Sequence, residues 1–319
     1  MIARFLPLAL LLTSAVSAQP VSAPWPDTLS AEAKAGLAAN DARTPVPPDF
    51  KARRAWSEAV QQEVGQPRLA RYGVAMEDRH IAGVPVRIFT PKTMREEGAL
   101  LLNLHGGGFV VDAGSITENA AVAAITGYRV VAVRYRLLPD HHFPAATDDA
   151  LAVYRALLRE RDAASIGLYG TSAGAILSAE LVARLRAEKL PLPAALGFFS
   201  GSADLSRFGD SVTLFADPAA AAALGKLYAG DRDPADPMLS PIRSDLAGWP
   251  PTLCISSSRD FLLSATAEFC RALDAADVPA KLLLFDGLPH AFWSYVDAPE
   301  TDAAFEAMAD FLRKRLERE

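Results

Sequence analysis

The chain has 319 residues, half of them apolar and 22% charged, with a formal charge of −6. That is enough to bury one large core, or a core with a small accessory layer. Acids and bases are interspersed and no basic stripe tracks a phosphate backbone, so nucleic acid is not an expected partner.

At the N-terminus, MIAR is a short basic start, FLPLALLLTSAV an apolar run and VSA a small-residue ending. This layout predicts a secretory signal peptide over residues 1–18, cleaved after Ala18, and a mature chain that is secreted or periplasmic. A bilayer span needs roughly 20 apolar residues, so no stable membrane insertion is expected after cleavage. Export permits a disulfide, but Cys254 and Cys270, the only cysteines, are expected to be buried free thiols.

Residues 19–70 are rich in Pro, Ala and charge. Pro45, Pro47 and Pro48 make a connector, and Lys51 to Val64 has helical spacing. After them come seven strand-like runs: VPVRIFTP (84–91), ALLLNLHG (99–106), RVVAVRYR (129–136), SIGLYGTS (165–172), ALGFFSG (195–201), PTLCISSS (251–258) and AKLLLFDG (280–287). Several are apolar at consecutive positions, as strands covered on both faces must be. Between them, 146–161, 173–188 and 266–277 repeat apolar residues at three- and four-residue intervals. The alternation predicts an α/β fold, a mainly parallel sheet flanked by helices. An insertion at about 206–249, with an Ala run and Asp-Pro steps, is expected to make a lid together with residues 19–70. The remainder, 71–319, is expected to form the main α/β domain, the one that carries the motifs below.

Functional groups of such sheets gather at the carboxyl ends of the strands. After ALLLN comes His105-Gly106-Gly107-Gly108-Phe109. Successive glycines let the backbone approach a substrate and turn its amides inward, which is what an oxyanion hole requires. His105 has a structural role available, holding this loop by hydrogen bonding. After SIGLY comes Gly170-Thr171-Ser172-Ala173-Gly174, the only G-x-S-x-G in the chain, with a strand before it and a helix after it. Gly170 and Gly174 relieve the strained turn that carries the serine.

A serine needs a base. Of His80, His105, His141, His142 and His290, only His290 follows Ser172, in FDGLPHAFW. The order Ser, acid, His leaves it as the candidate. The acid that fixes its tautomer is Asp260, at a strand end 30 positions earlier; Asp204 in SGSADLS is the competitor, and Asp286 is too close along the chain. A base must be neutral to accept a proton, so activity is expected to climb as pH rises through about 6 to 7.

With these residues assembled, the sequence resembles the hormone-sensitive-lipase family of microbial esterases and lipases among the α/β hydrolases. The resemblance runs from about Val84 to Phe311 and rests on HGGGF (105–109), YRLLPDHHFPAATDD (135–149), GTSAGA (170–175), DPMLSP (236–241), SRDFLLS (258–264) and LPHAF (288–292). It implies an α/β-hydrolase fold with Ser172 as nucleophile, Asp260 as acid and His290 as base. It also implies oxyanion donors at the amides of Gly107, Gly108 and Ala173, and a helical cap. Many members carry Asp before the nucleophile, where this chain has Thr171; a branch of the family uses Thr. Where members often show glycine before the acid, this chain has Ser256, Ser257 and Ser258.

The expected activity is hydrolysis of short- to medium-chain carboxylic esters, a small-molecule substrate, with neither metal nor organic cofactor. A non-catalytic ligand-binding relative and a hydrolase of amides, carbamates or lactones are the alternatives, since the same fold and triad serve them. Phe109, Val110, Phe208, Phe215, Met238, Leu239 and Trp293 lie near the motifs or in the cap, and each is more readily core packing than substrate contact. Self-association into a homodimer is left open.

Overall fold

The computed structural model describes residues 24–43, 45–95 and 99–317. The signal peptide expected over 1–18 lies outside them. Eight strands form one sheet: β1 (Val74–Ile81), β2 (Val84–Pro91), β3 (Leu100–Leu104), β4 (Arg129–Val133), β5 (Ile166–Thr171), β6 (Ala195–Phe199), β7 (Thr252–Arg259) and β8 (Ala280–Pro289), in the order β1-β2-β4-β3-β5-β6-β7-β8. β2 pairs antiparallel with β1 and with β4, and every pairing from β4 across to β8 is parallel.

The apolar runs explain the layers. Leu100, Leu102 and Leu104 of β3 join one core, whereas Leu101 joins the other; β4 divides the same way, with Val131 and Val133 against Val130 and Ala132. Successive side chains leave a strand on opposite faces, so both faces need helices. The first core is covered by α4 (Ala145–Leu158), α5 (Ala173–Ala187) and α8 (Leu263–Ala275), the second by α3 (Ser115–Thr126) and α9 (Pro299–Leu316). Cys254 and Cys270 are free and buried in the first core, as expected.

Among the described residues two helices precede the sheet, α1 (Ala31–Asp41) and α2 (Phe50–Tyr72). Asp49 caps α2 by accepting from the Ala52 amide at 2.8 Å. The helix runs eight residues past Val64 and carries Pro67 inside it, ending at Gly73. Its buried face, which includes Gln61, Gly65 and Arg68, is pressed on α3 so closely that a Cβ on Gly65 would meet Ile116 at 2.4 Å. That packing offsets the amide lost at Pro67.

The insertion forms α6 (Ser211–Phe215) and α7 (Pro218–Ala229), the latter capped by Asp217 with Pro218 in its first turn. Tyr228 of α7 stacks on Phe109 with ring centroids 3.6 Å apart, so the insertion lies directly on the glycine loop.

Candidate active site

Ser172 sits between β5 and α5 with φ +58 and ψ −122, a left-handed conformation that only a constrained turn maintains for a non-glycine residue. Gly174 makes the turn sterically possible, because a Cβ there would lie 1.8 Å from the Leu104 carbonyl oxygen. The start of α5 points its positive end at this serine.

His290 follows β8 and reaches back to it. Its Nε2 lies 2.9 Å from Ser172 Oγ, and its Nδ1 lies 2.6 Å from Asp260 Oδ1. The imidazole is packed against the Phe261 ring at 4.2 Å, and the Tyr295 hydroxyl donates to the His290 carbonyl at 3.1 Å. Asp260 is wholly buried. Its Oδ1 also accepts from the Leu262 amide at 2.8 Å, and its Oδ2 accepts from Ser256 Oγ at 2.8 Å. Burial alone would raise this carboxyl, but the His290 charge and the hydrogen bonds hold it below the usual carboxylate range.

The competitor is committed elsewhere. Asp204 accepts from the Ser206 amide and hydroxyl, from Ser240 Oγ and from Arg243 Nε, tying the insertion to the body. Asp286 accepts from Ser258 Oγ at 2.9 Å, and His142 Nδ1 lies 2.6 Å from the Leu227 carbonyl oxygen. The serines that replace glycine before the acid each hold a neighbour. Ser256 holds Asp260 itself, Ser257 donates to the Pro289 carbonyl, and Ser258 also accepts from the Gly287 amide.

The glycine loop lies beside the nucleophile, since a Cβ on Gly106 would sit 3.4 Å from Ser172 Cβ. Gly107 has φ +114, and a Cβ there would meet the Val111 carbonyl at 2.1 Å, so no other residue fits. Among the described residues no protein acceptor takes the amides of Gly107 and Gly108. His105 is buried and stacks on Tyr135 at 4.1 Å, and its Nδ1 lies 2.8 Å from the Gly106 carbonyl oxygen. Desolvation lowers its pKa, so it is a neutral prop of the loop.

Of the apolar candidates, Phe109, Val110, Leu239 and Trp293 are core residues, whereas Phe208, Phe215 and Met238 are half-buried. Three buried polar residues of the surroundings carry no local motif. Gln61 donates to the Asp112 carbonyl at 2.7 Å, and its Oε1 accepts from the amides of Gly114 and Ile116. Glu118 touches Thr171 and Ser294, and Glu180 of α5 accepts from Thr147 and Tyr228. Glu118 sits among Ser115, Thr117 and Asn119 ahead of an alanine-rich run, so nothing local marks it.

A family model described as alpha/beta hydrolase fold matches residues 101–294. Over 233 residues the chain is 34% identical to an acetyl-hydrolase of Streptomyces hygroscopicus, covering 69% of this chain and 77% of that protein. It is 33% identical to a crystallised esterase, with a TM-score of 0.81 over 93% of this chain and 98% of the other. An esterase of the bacterial hormone-sensitive lipase family is 28% identical, with a TM-score of 0.78 over 90% of this chain and 99% of its own. The strand order, the serine turn and these likenesses agree: the chain belongs to the α/β hydrolases and, within them, to the hormone-sensitive-lipase family.

Proposed function

We infer that the chain is a carboxylic-ester hydrolase in which Ser172 is the nucleophile, His290 the base and Asp260 the acid that orients it. The observation that carries this reading is the unbroken run of hydrogen bonds from Asp260 through His290 to Ser172, 2.6 Å and 2.9 Å long. Ser172 Oγ attacks the acyl carbon while His290 Nε2 takes its proton. The amides of Gly107, Gly108 and Ala173 bind the oxygen that becomes negative; each such donor is worth about 3 kcal/mol in the transition state. The imidazolium passes the proton to the departing alcohol. Water, deprotonated by the same nitrogen, then clears the acyl group as the free acid, and the imidazolium returns that proton to Ser172 Oγ.

The cap expected from residues 19–70 and 206–249 is assigned to α1, α2, α6 and α7. α7 lies over the oxyanion loop, where a Cβ on Gly108 would already meet Leu224 at 3.2 Å. So little room beside the loop favours short acyl groups, in line with the acetyl-hydrolase likeness. The enzyme acts outside the cytoplasm after export; the support for this is the three-part layout of residues 1–18.

The test is hydrolysis of a p-nitrophenyl ester series by wild-type protein and Ser172→Ala. Wild type is expected to favour acetate and butyrate over long-chain esters, and the folded variant is expected to lose essentially all turnover. Native turnover by Ser172→Ala would refute the mechanism, and preference for long-chain emulsions would refute the short-acyl assignment.

A further inference from the structure

One carboxyl group touches both turns that carry the reacting residues. Glu118, in α3, is 2% exposed. Its Oε2 accepts from Thr171 Oγ1 at 3.0 Å and its Oε1 from Ser294 Oγ at 2.5 Å. Thr171 immediately precedes Ser172, and Ser294 ends the short 3-10 turn, Phe292–Ser294, that follows His290. No step of the hydrolysis uses this group. We propose that Glu118 is a positioning residue of the active site, its carboxylate fastening the nucleophile turn and the histidine turn to one point on α3. This rests on the reading of Ser172 and His290 as nucleophile and base.

Both turns need holding. Ser172 at φ +58 and Ala291 at φ +50 are non-glycine residues in the left-handed region, and such conformations persist only where the surroundings over-determine them. The anchor itself is rigid. Ser115 through Ala123 are all buried, and α2 secures the same corner. There the Arg68 guanidinium donates to the carbonyls of Thr117, Trp293 and Val296 at 3.0, 2.7 and 2.7 Å.

A carboxyl is also an unfavourable choice for a merely space-filling position, since burying its charge is costly. Desolvation drives Glu118 up to about 7, against the pull of Ser294, Thr171, the nearby Trp293 indole and the Arg68 charge, all of which favour the ionised form. The other titratable neighbour, Tyr169 of β5, is kept neutral by burial and by Glu118. The carboxylate accepts from both hydroxyls at once. Once protonated, it must find an acceptor for its own proton, so one of the two bonds is reversed or lost. The fastening is complete above neutral pH and weakens below it.

Glu118→Gln keeps the volume and removes the charge, while Thr171→Val and Ser294→Ala each remove one hydroxyl. With p-nitrophenyl acetate each is expected to lower kcat about tenfold with KM nearly unchanged, less than the hundredfold a 1 Å misplacement can cause. On the acid side, wild-type log kcat is expected to fall more steeply than one proton allows, and that of Glu118→Gln with one proton only. Should Glu118→Gln fail to fold, the two hydroxyl variants decide the matter. Wild-type kcat and acid limb in the folded variants, or a change in KM alone, overturn the proposal. Ser172→Ala in the same assay separates the readings. If it is inactive while the others behave as wild type, only the role of Glu118 falls; if it keeps native turnover, the active-site reading falls and Glu118 with it.

Discussion

Asp260 and Asp204 are both aspartates just beyond a strand, and their difference in role is one of surroundings. Asp260 offers one oxygen to His290 and the Leu262 amide and the other to Ser256. Asparagine in its place has one acceptor and one donor end, so it either turns an N–H toward Nδ1 and selects the wrong tautomer or loses its own donors. Asp260→Asn is therefore expected to lower kcat by about 10³–10⁴ in a steady-state ester assay while the protein stays folded. Asp204→Asn is expected to lower the Tm through its lost Arg243 contact and leave kcat within a few-fold. The reverse pattern would exchange their roles. Strand-end position and the order of triad residues make Ser172, His290 and Asp260 legible, because each of these signals is local. Glu118, Gln61 and Glu180 are illegible for the opposite reason: a lone polar residue looks like a solvated surface until its distant partners are known.

The same distinction governs the elements. β2 to β8 are legible from apolar runs closed by Gly, Pro or Asp. β1 is not, since VAMEDRHI lies at the sheet edge with Glu77, Asp78 and Arg79 in solvent and shows almost no apolar pattern. α3 escapes because Ser115, Thr117, Glu118 and Asn119 crowd its first turns, although all four are buried. The contribution of α2 is the least visible. Ser57 and Gln61 hold the Asp112 carbonyl at 2.7 Å each, and Arg54 Nε holds that of Val110 at 3.1 Å, so this helix is a strut under the glycine loop. Gln61→Leu leaves the amides of Gly114 and Ile116 unpaired and the Asp112 carbonyl to Ser57 alone, and is expected to destabilise the fold by about 1–3 kcal/mol. Because the loosened residues pair with the glycine loop through Ala113 and Gly106, kcat is expected to fall more than KM rises. Denaturant unfolding and steady-state kinetics on one preparation check both; a destabilised variant with native kcat would limit α2 to a structural role.

For the whole molecule, the buried acids set how stability depends on pH. Glu180 joins three elements: it sits on α5, behind the nucleophile, and one of its oxygens accepts from Thr147 of α4 at 2.8 Å and from Tyr228 of α7 at 2.7 Å. The other oxygen is buried and has no partner among the described residues. Desolvation outweighs those two hydrogen bonds and raises the carboxyl from 4.5 to about 8, while Glu118 rises to about 7. Between the unfolded and folded values the native state holds protons that the unfolded chain has released, so stability falls as pH rises through that window. Asp260 and Asp112 have the opposite sign: their carboxyls are depressed, so the stability they contribute is lost as pH falls through the acid range. The two trends place the greatest stability on the mildly acid side of neutrality. Glu180→Gln keeps an acceptor for Thr147 and Tyr228 and removes the charge. Its Tm is expected to match that of wild type near pH 5 and exceed it at pH 9. Differential scanning calorimetry across pH 5–9 measures the gap directly. If the two proteins lose stability in parallel up to pH 9, Glu180 is not the group being titrated, and the joint between α4, α5 and α7 is insensitive to pH.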